Sequence, residues 1–129
     1  MKTILVVDDN PFITELVTET LGIENYRILI SENGEQAIAL AKMENPDLII
    51  MDVMMPGKYS GFDATKIIRS SPLLEDCKVI LLTAKGQRKD LETGFRAGAD
   101  DYIIKPFSPM ALLDKVDLLL KGATNNESQ

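Results

Sequence analysis

Two kinds of apolar pattern alternate along the chain. Ile4-Leu5-Val6-Val7, Leu48-Ile49-Ile50-Met51 and Val79-Ile80-Leu81-Leu82 are unbroken apolar runs, the mark of strands covered on both faces. Between such runs, apolar residues recur at helical spacing. Ile13, Leu16, Val17 and Leu21 make one stripe. Ala37, Ile38 and Ala41 make a second, and Phe62, Ile67 and Ile68 a third. Leu112, Leu113, Val116, Leu119 and Leu120 make the last. The punctuation agrees with this division. Asn10-Pro11 opens the first helix, Gly22 ends it, and Ser108-Pro109 caps the last. The pattern predicts strands over 2–7, 26–31, 47–52, 77–83 and 102–104. It predicts helices from 11 to 22, 33 to 44, 61 to 70, 87 to 97 and from 109 to about 121.

Strict alternation of strand and helix implies a doubly wound α/β fold with one parallel sheet and right-handed crossovers. The first, third and fourth strands are the most apolar and belong in the centre. The second (Arg27, Ser31) and the fifth are more polar and belong at the edges. The strand order is then 2-1-3-4-5, with a ligand crevice between strands one and three. At 129 residues the chain is one domain, over 1–121, followed by a polar tail at 122–129 expected to be disordered and too short for an effector domain.

Composition narrows the function. The net charge of −6 repels phosphate backbones, so no direct nucleic-acid binding is expected. No apolar run reaches the roughly 18 residues of a membrane span. A single cysteine, Cys77, fits a reducing cytoplasm. The chain has no histidine, which excludes histidine triads, histidine-ligated zinc and a phosphohistidine carrier. A divalent metal would have to bind through oxygen, as Mg²⁺, Mn²⁺ or Ca²⁺ does.

Four of the five strands end on charged or reactive groups: Asp8-Asp9, Asp52, Thr83 and Lys105. Each has an ordinary explanation when taken singly: a helix cap, a turn, a strand-end hydroxyl, a solvated lysine. Parallel strands, however, bring all four ends to one rim. Crowded carboxylates repel, and a divalent cation held by Asp9, Asp52 and backbone oxygen relieves that repulsion. Lys105 balances the remaining charge. One Asp oxygen is then a nucleophile for a phosphoryl group, in a site that works by positioning and charge neutralisation.

Four segments together resemble the receiver domain of two-component response regulators: Val7-Asp8-Asp9-Asn10, 51–57 around Asp52, Leu82-Thr83-Ala84, and 101–107 around Lys105-Pro106. The resemblance spans residues 2 to about 121 and implies a flavodoxin-like fold. It makes Asp52 the phosphoacceptor, fed by a sensor histidine kinase or phosphotransfer protein. Asp9 becomes a direct Mg²⁺ ligand, with Mn²⁺ able to substitute. Asp8 acts mainly through water, and the Met54 backbone carbonyl is a further ligand. Thr83 and Lys105 contact the phosphoryl oxygens. Tyr102 is the aromatic switch, and Lys105-Pro106 is a cis peptide. Met54 and Lys85 tune phosphoryl lifetime. The output surface is the fourth helix, fifth strand and fifth helix. Such a domain is a signalling switch, with no substrate turnover beyond its own phosphorylation and dephosphorylation. Gly61 stands nine residues after Asp52 where the family places its glycine eight after, so the intervening loop is one residue longer.

Three other readings compete. Phosphohydrolases with an aspartyl-phosphate intermediate carry D-x-D after the first strand, a spacing that Asp8-Asp9-Asn10 lacks. Nucleotide or flavin modules need a glycine-rich phosphate loop, and none is present. A phosphorylation-independent scaffold would have lost some acceptor, metal or switch position, and all are filled.

Overall fold

The computed structural model describes residues 1–84 and 88–127, without the side chains of 88, 90 and 122–127. The five strands are β1 (Thr3–Val7), β2 (Arg27–Ser31), β3 (Leu48–Asp52), β4 (Lys78–Ala84) and β5 (Asp101–Lys105). They pair in parallel in the order β2-β1-β3-β4-β5. The helices are α1 (Pro11–Leu21), α2 (Gly34–Glu44), α3 (Gly61–Arg69), α4 (Arg88–Ala97) and α5 (Pro109–Glu127). The fold class and strand order are those the apolar runs predict. Lys85, Gly86 and the predicted helix start at Gln87 lie outside the described residues.

The sheet has a core on each face. Leu5, Val7, Ile49, Met51, Val79 and Leu81 point to one side, against Ala37 and Ala41 of α2 and Ala64 and Ile68 of α3. Ile4, Val6, Ile50, Ile80 and Leu82 point to the other, against Val17 and Leu21 of α1 and Leu112 and Val116 of α5. Every residue of β3 is buried, as an unbroken apolar run in a central strand requires.

Local chemistry sets the ends of the elements. Asn10 caps α1 by accepting a bond from the Phe12 N–H at 2.9 Å. Ser60 and Asp63 form a reciprocal capping box at the start of α3. Several sequence expectations need correction. Leu16 is 36% exposed, because the buried stripe of α1 runs through Thr14, Val17, Thr20 and Leu21. The hydroxyls of Thr14 and Thr20 can be buried because they donate to the carbonyls of Pro11 and Leu16. Gly22 ends α1 in an ordinary right-handed conformation, φ −64°. The left-handed helix end is at Asn45 (φ 47°), closing α2 just before Pro46. A short 3₁₀ turn at Pro72–Leu74, which the apolar pattern does not predict, precedes β4. Helix α5 runs to Glu127.

Arg69, at the end of α3, ties three segments together. Its Nε donates to the Gly98 carbonyl at 2.7 Å, and its other nitrogens reach the Cys77 carbonyl and the Asp100 carboxylate. Asp100 in turn accepts the Val79 N–H at 2.8 Å. Gly98 has φ +109° and lies directly against the Arg69 stem. The C-terminal end of α4 is thereby fixed to α3 and β4. Farther along α4, Gly94 is buried where the helix crosses Leu81, and a Cβ there would meet Leu81 Cδ1 at 2.7 Å. The glycine that weakens α4 by propensity is also what lets it approach the sheet.

Candidate functional site

The strand ends meet on the C-terminal rim of the sheet, on either side of the β1–β3 crevice. Asp8 and Asp52 are almost fully buried, 2% and 7% exposed, while Asp9 faces solvent. One carboxylate oxygen from each of the three lies within 4.8 Å of the others. Lys105 Nζ bridges the pair, 2.9 Å from Asp8 Oδ2 and 3.2 Å from Asp52 Oδ2. The remaining oxygens take backbone N–H groups. Asp8 Oδ1 accepts from Asn10 at 2.9 Å, and Asp52 Oδ1 from Met54 at 3.3 Å.

Burial pushes the Asp52 carboxyl above its ordinary value, and the neighbouring Asp8 charge pushes it further. The Lys105 ammonium and the Met54 N–H oppose that rise without cancelling it. Burial by itself would lower Lys105. Its hydrogen bond to Asp8 and the charges of Asp52 and Asp8 outweigh burial and leave it raised. The site therefore holds a firmly charged ammonium between two carboxylates, with a third carboxylate at the mouth. The donor set is all oxygen, and it fits a hard divalent cation.

The loop after Asp52 explains how this carboxylate is held. Gly61 N donates to the Val53 carbonyl at 2.9 Å. A Cβ on Gly61 would lie only 2.3 Å from the Asp52 carbonyl oxygen. The loop closes at Gly61 because only a residue without a side chain fits there. Tyr59, in the longer loop, packs its Cβ over Gly34 at the start of α2, where a glycine Cβ would meet it at 2.9 Å. It is half-buried there, with Lys58 Nζ 5.3 Å from its ring.

The other predicted residues fall as follows. Thr83 is buried at the end of β4. The Lys105-Pro106 peptide is cis. Met54 is 75% exposed beside the acidic cluster. Lys85 is outside the described residues. Tyr102 is half-buried on β5. With Thr83, Leu81, Leu91, Gly94 and Phe95 it lines a cavity of about 10 Å³. Phe95 meets the Tyr102 ring edge-on at 5.8 Å, and Lys115 Nζ sits 5.5 Å from its centroid. The sequence carries no signal for these partners of Tyr102, since nothing in local spacing links Lys115 to position 102.

Residues 4–117 match the response regulator receiver domain family. The chain is 45% identical over 121 residues to the transcriptional regulatory protein ResD of Bacillus subtilis, covering 94% of this chain and 49% of that protein. It is 39% identical over 128 residues to the phosphate regulon transcriptional regulatory protein PhoB of Pseudomonas aeruginosa, covering 99% and 56% respectively. The chain thus spans about half the length of these curated relatives. Among solved structures it is similar to the chemotaxis response regulator CheY4 of Vibrio cholerae. There the TM-score is 0.86 at 30% identity, covering 92% of this chain and 98% of that one. No helix among the described residues is long and apolar enough to cross a membrane.

Proposed function

The chain belongs to the response regulator receiver domain family, and on that premise we propose that Asp52 accepts a phosphoryl group from the phosphohistidine of a sensor histidine kinase or phosphotransfer protein. The observation that carries this reading is the buried Asp8–Lys105–Asp52 arrangement with Asp9 at its mouth. An Asp52 oxygen forms the new bond to phosphorus as the bond to the donor imidazole nitrogen breaks. The electron pair leaves on that nitrogen. Lys105 is already placed to move from carboxylate to phosphoryl oxygen, and Thr83, buried at the end of β4, would donate its hydroxyl to the phosphoryl group. Asp8, Asp9, Asp52 and the Met54 carbonyl would hold Mg²⁺, or Mn²⁺ in its place, which neutralises the phosphoryl oxygens. This is positioning chemistry for a cytoplasmic signal, a switch in place of a turnover enzyme. The phosphorylated state is read by a downstream effector through the surface of α4, β5 and α5, with no direct nucleic-acid contact by this domain. The test is intact mass after incubation with acetyl phosphate and Mg²⁺. One phosphoryl group should be gained, and none in the presence of a chelator. A steady release of many phosphates per chain would favour a hydrolase.

Two further outcomes follow from the geometry. Asp9 is exposed and makes no ion pair among the described residues, whereas Asp8 is committed to Lys105 and to Asn10 N–H. Asp9→Ala should therefore weaken Mg²⁺ binding more than Asp8→Ala, and equal dissociation constants in a metal titration would refute that division of labour. Met54 projects beside the acceptor with no group able to orient a water. Met54→Asn supplies an amide and should speed dephosphorylation about tenfold, less than the roughly hundredfold or more of a positioned general base, because an amide orients the water without taking its proton. The decay of phosphorylated protein after donor removal measures this, and an unchanged half-life would count against it.

A further inference from the structure

Tyr102 is gripped from two sides by elements that otherwise have no part in the acidic site. Phe95 of α4 abuts its ring edge-on at 5.8 Å. Lys115 of α5 places its ammonium 5.5 Å from the ring centroid. That ammonium does not swing freely. It is bonded to both carboxylate oxygens of Asp101, the residue just before Tyr102, at 3.0 and 3.1 Å. The same carboxylate accepts the Tyr102 N–H at 2.8 Å. Asp101 thus fixes the backbone of Tyr102 and the lysine that covers its ring. On the inner side, the cavity shared with Thr83 is about 10 Å³, room for one water and far too little for a phenol ring. Tyr102 can turn inward only if Thr83 withdraws, and only if it leaves Lys115 and Phe95 behind.

We infer that Lys115 is a positioning residue that latches Tyr102 outward and so sets how strongly the acidic site must be filled before the output surface changes. The inference rests on the proposed function and on the switch role that the receiver-domain resemblance implies for Tyr102. A cation over an aromatic face is attracted to the ring's negative quadrupole. The attraction exists only in the outward state, so it biases the two-state equilibrium against activation. Coupling between two sites is reciprocal. Weakening the latch on α5 must therefore tighten binding at Asp52, although Lys115 pairs with Asp101 and not with the acidic cluster.

The experiment titrates Mg²⁺-beryllofluoride, which stands in for the phosphoryl group, into the wild type, Lys115→Met and Lys115→Arg. Methionine keeps a flexible stem against the ring and removes the charge. Lys115→Met should bind beryllofluoride about two- to fivefold more tightly, the range a half-exposed cation–π contact supports. Lys115→Arg keeps the cation and the Asp101 pair and should return the affinity to that of the wild type. The Tyr102 ring resonances, followed in the same samples, separate the two layers of the argument. If the ring does not move in the wild type on saturation, the switch reading fails and the latch with it. If the ring moves but Lys115→Met binds no more tightly, the latch alone is overturned. A melting-temperature loss in Lys115→Met without an affinity gain has the same meaning, because a structural role would produce it.

Discussion

Asp52→Asn should abolish the phosphoryl mass gain entirely and, in metal-free protein at neutral pH, raise the melting temperature. The first effect follows from the chemistry. An amide oxygen is a poor nucleophile, and the substitution removes the carboxylate against which Lys105 is poised at 3.2 Å. The second follows from linkage. Burial and the Asp8 charge raise the Asp52 carboxyl in the folded protein above its ordinary value of 3.8. Between that value and the raised one, the folded chain holds more protons than the unfolded chain. Stability then falls as pH rises through this window, and the deficit is complete above it. An asparagine has nothing to ionise and escapes the deficit. The gap in melting temperature between the two proteins should shrink as the pH is lowered and close below 3.8, where the aspartate becomes protonated in both states. A variant that still gains the phosphoryl mass would remove Asp52 from the role of acceptor. A variant that melts lower than the wild type at neutral pH would show that the Lys105 pair stabilises the fold by more than Asp52 burial costs.

Gly61→Ala should be the most damaging small substitution near the site. The added methyl would sit 2.3 Å from the Asp52 carbonyl oxygen and 2.9 Å from Val53 Cα, both backbone atoms. No side chain can rotate away to make room. Either α3 backs off the sheet, or the end of β3 shifts and carries the Asp52 carboxylate with it. Overpacking of this kind costs about 1–3 kcal/mol, occasionally more. A displaced nucleophile costs rate as well, about tenfold or more for a shift of a fraction of an ångström. Denaturant unfolding and the phosphorylation rate with acetyl phosphate measure the two effects. Wild-type values for both would mean that the β3–α3 loop is far more compliant than its bond from Gly61 N–H to the Val53 carbonyl implies.

The legible part of this molecule is the part carried by pattern. Ile4–Val7, Leu48–Met51 and Val79–Leu82 could be ordered across the sheet because central strands need apolar residues on both faces. The acidic cluster can be assembled because each member is the last residue of a parallel strand or lies within two residues of its end, and parallel strands share a rim. Pattern fails where a contact joins residues far apart in sequence. Lys115 over Tyr102, and Arg69 on Gly98 and Asp100, have no local signature. It fails too where polar residues bury themselves by bonding to their own helix. Thr14 and Thr20 do so, whereas apolar spacing alone runs the α1 stripe through Leu16. Asp8 and Asp9 are alike in sequence. What separates them is strand pleat and depth, which put Asp8 beneath Lys105 and left Asp9 in water.

The Arg69 fork gives α4 the mechanics of a lever. Its C-terminal end is bolted at Gly98 and Asp100, so the fulcrum lies at the end remote from Thr83. At 1.5 Å per residue, the ten residues of Arg88–Ala97 make an arm of about 15 Å. A tilt of only about ten degrees about that fulcrum carries the N-terminal end of the arm through roughly 2.5 Å, while Ala97 hardly moves. Phe95 rides close to the pivot and travels little. Residues towards Arg88 sweep the widest arc, so a reader placed there receives the largest displacement for the smallest rotation.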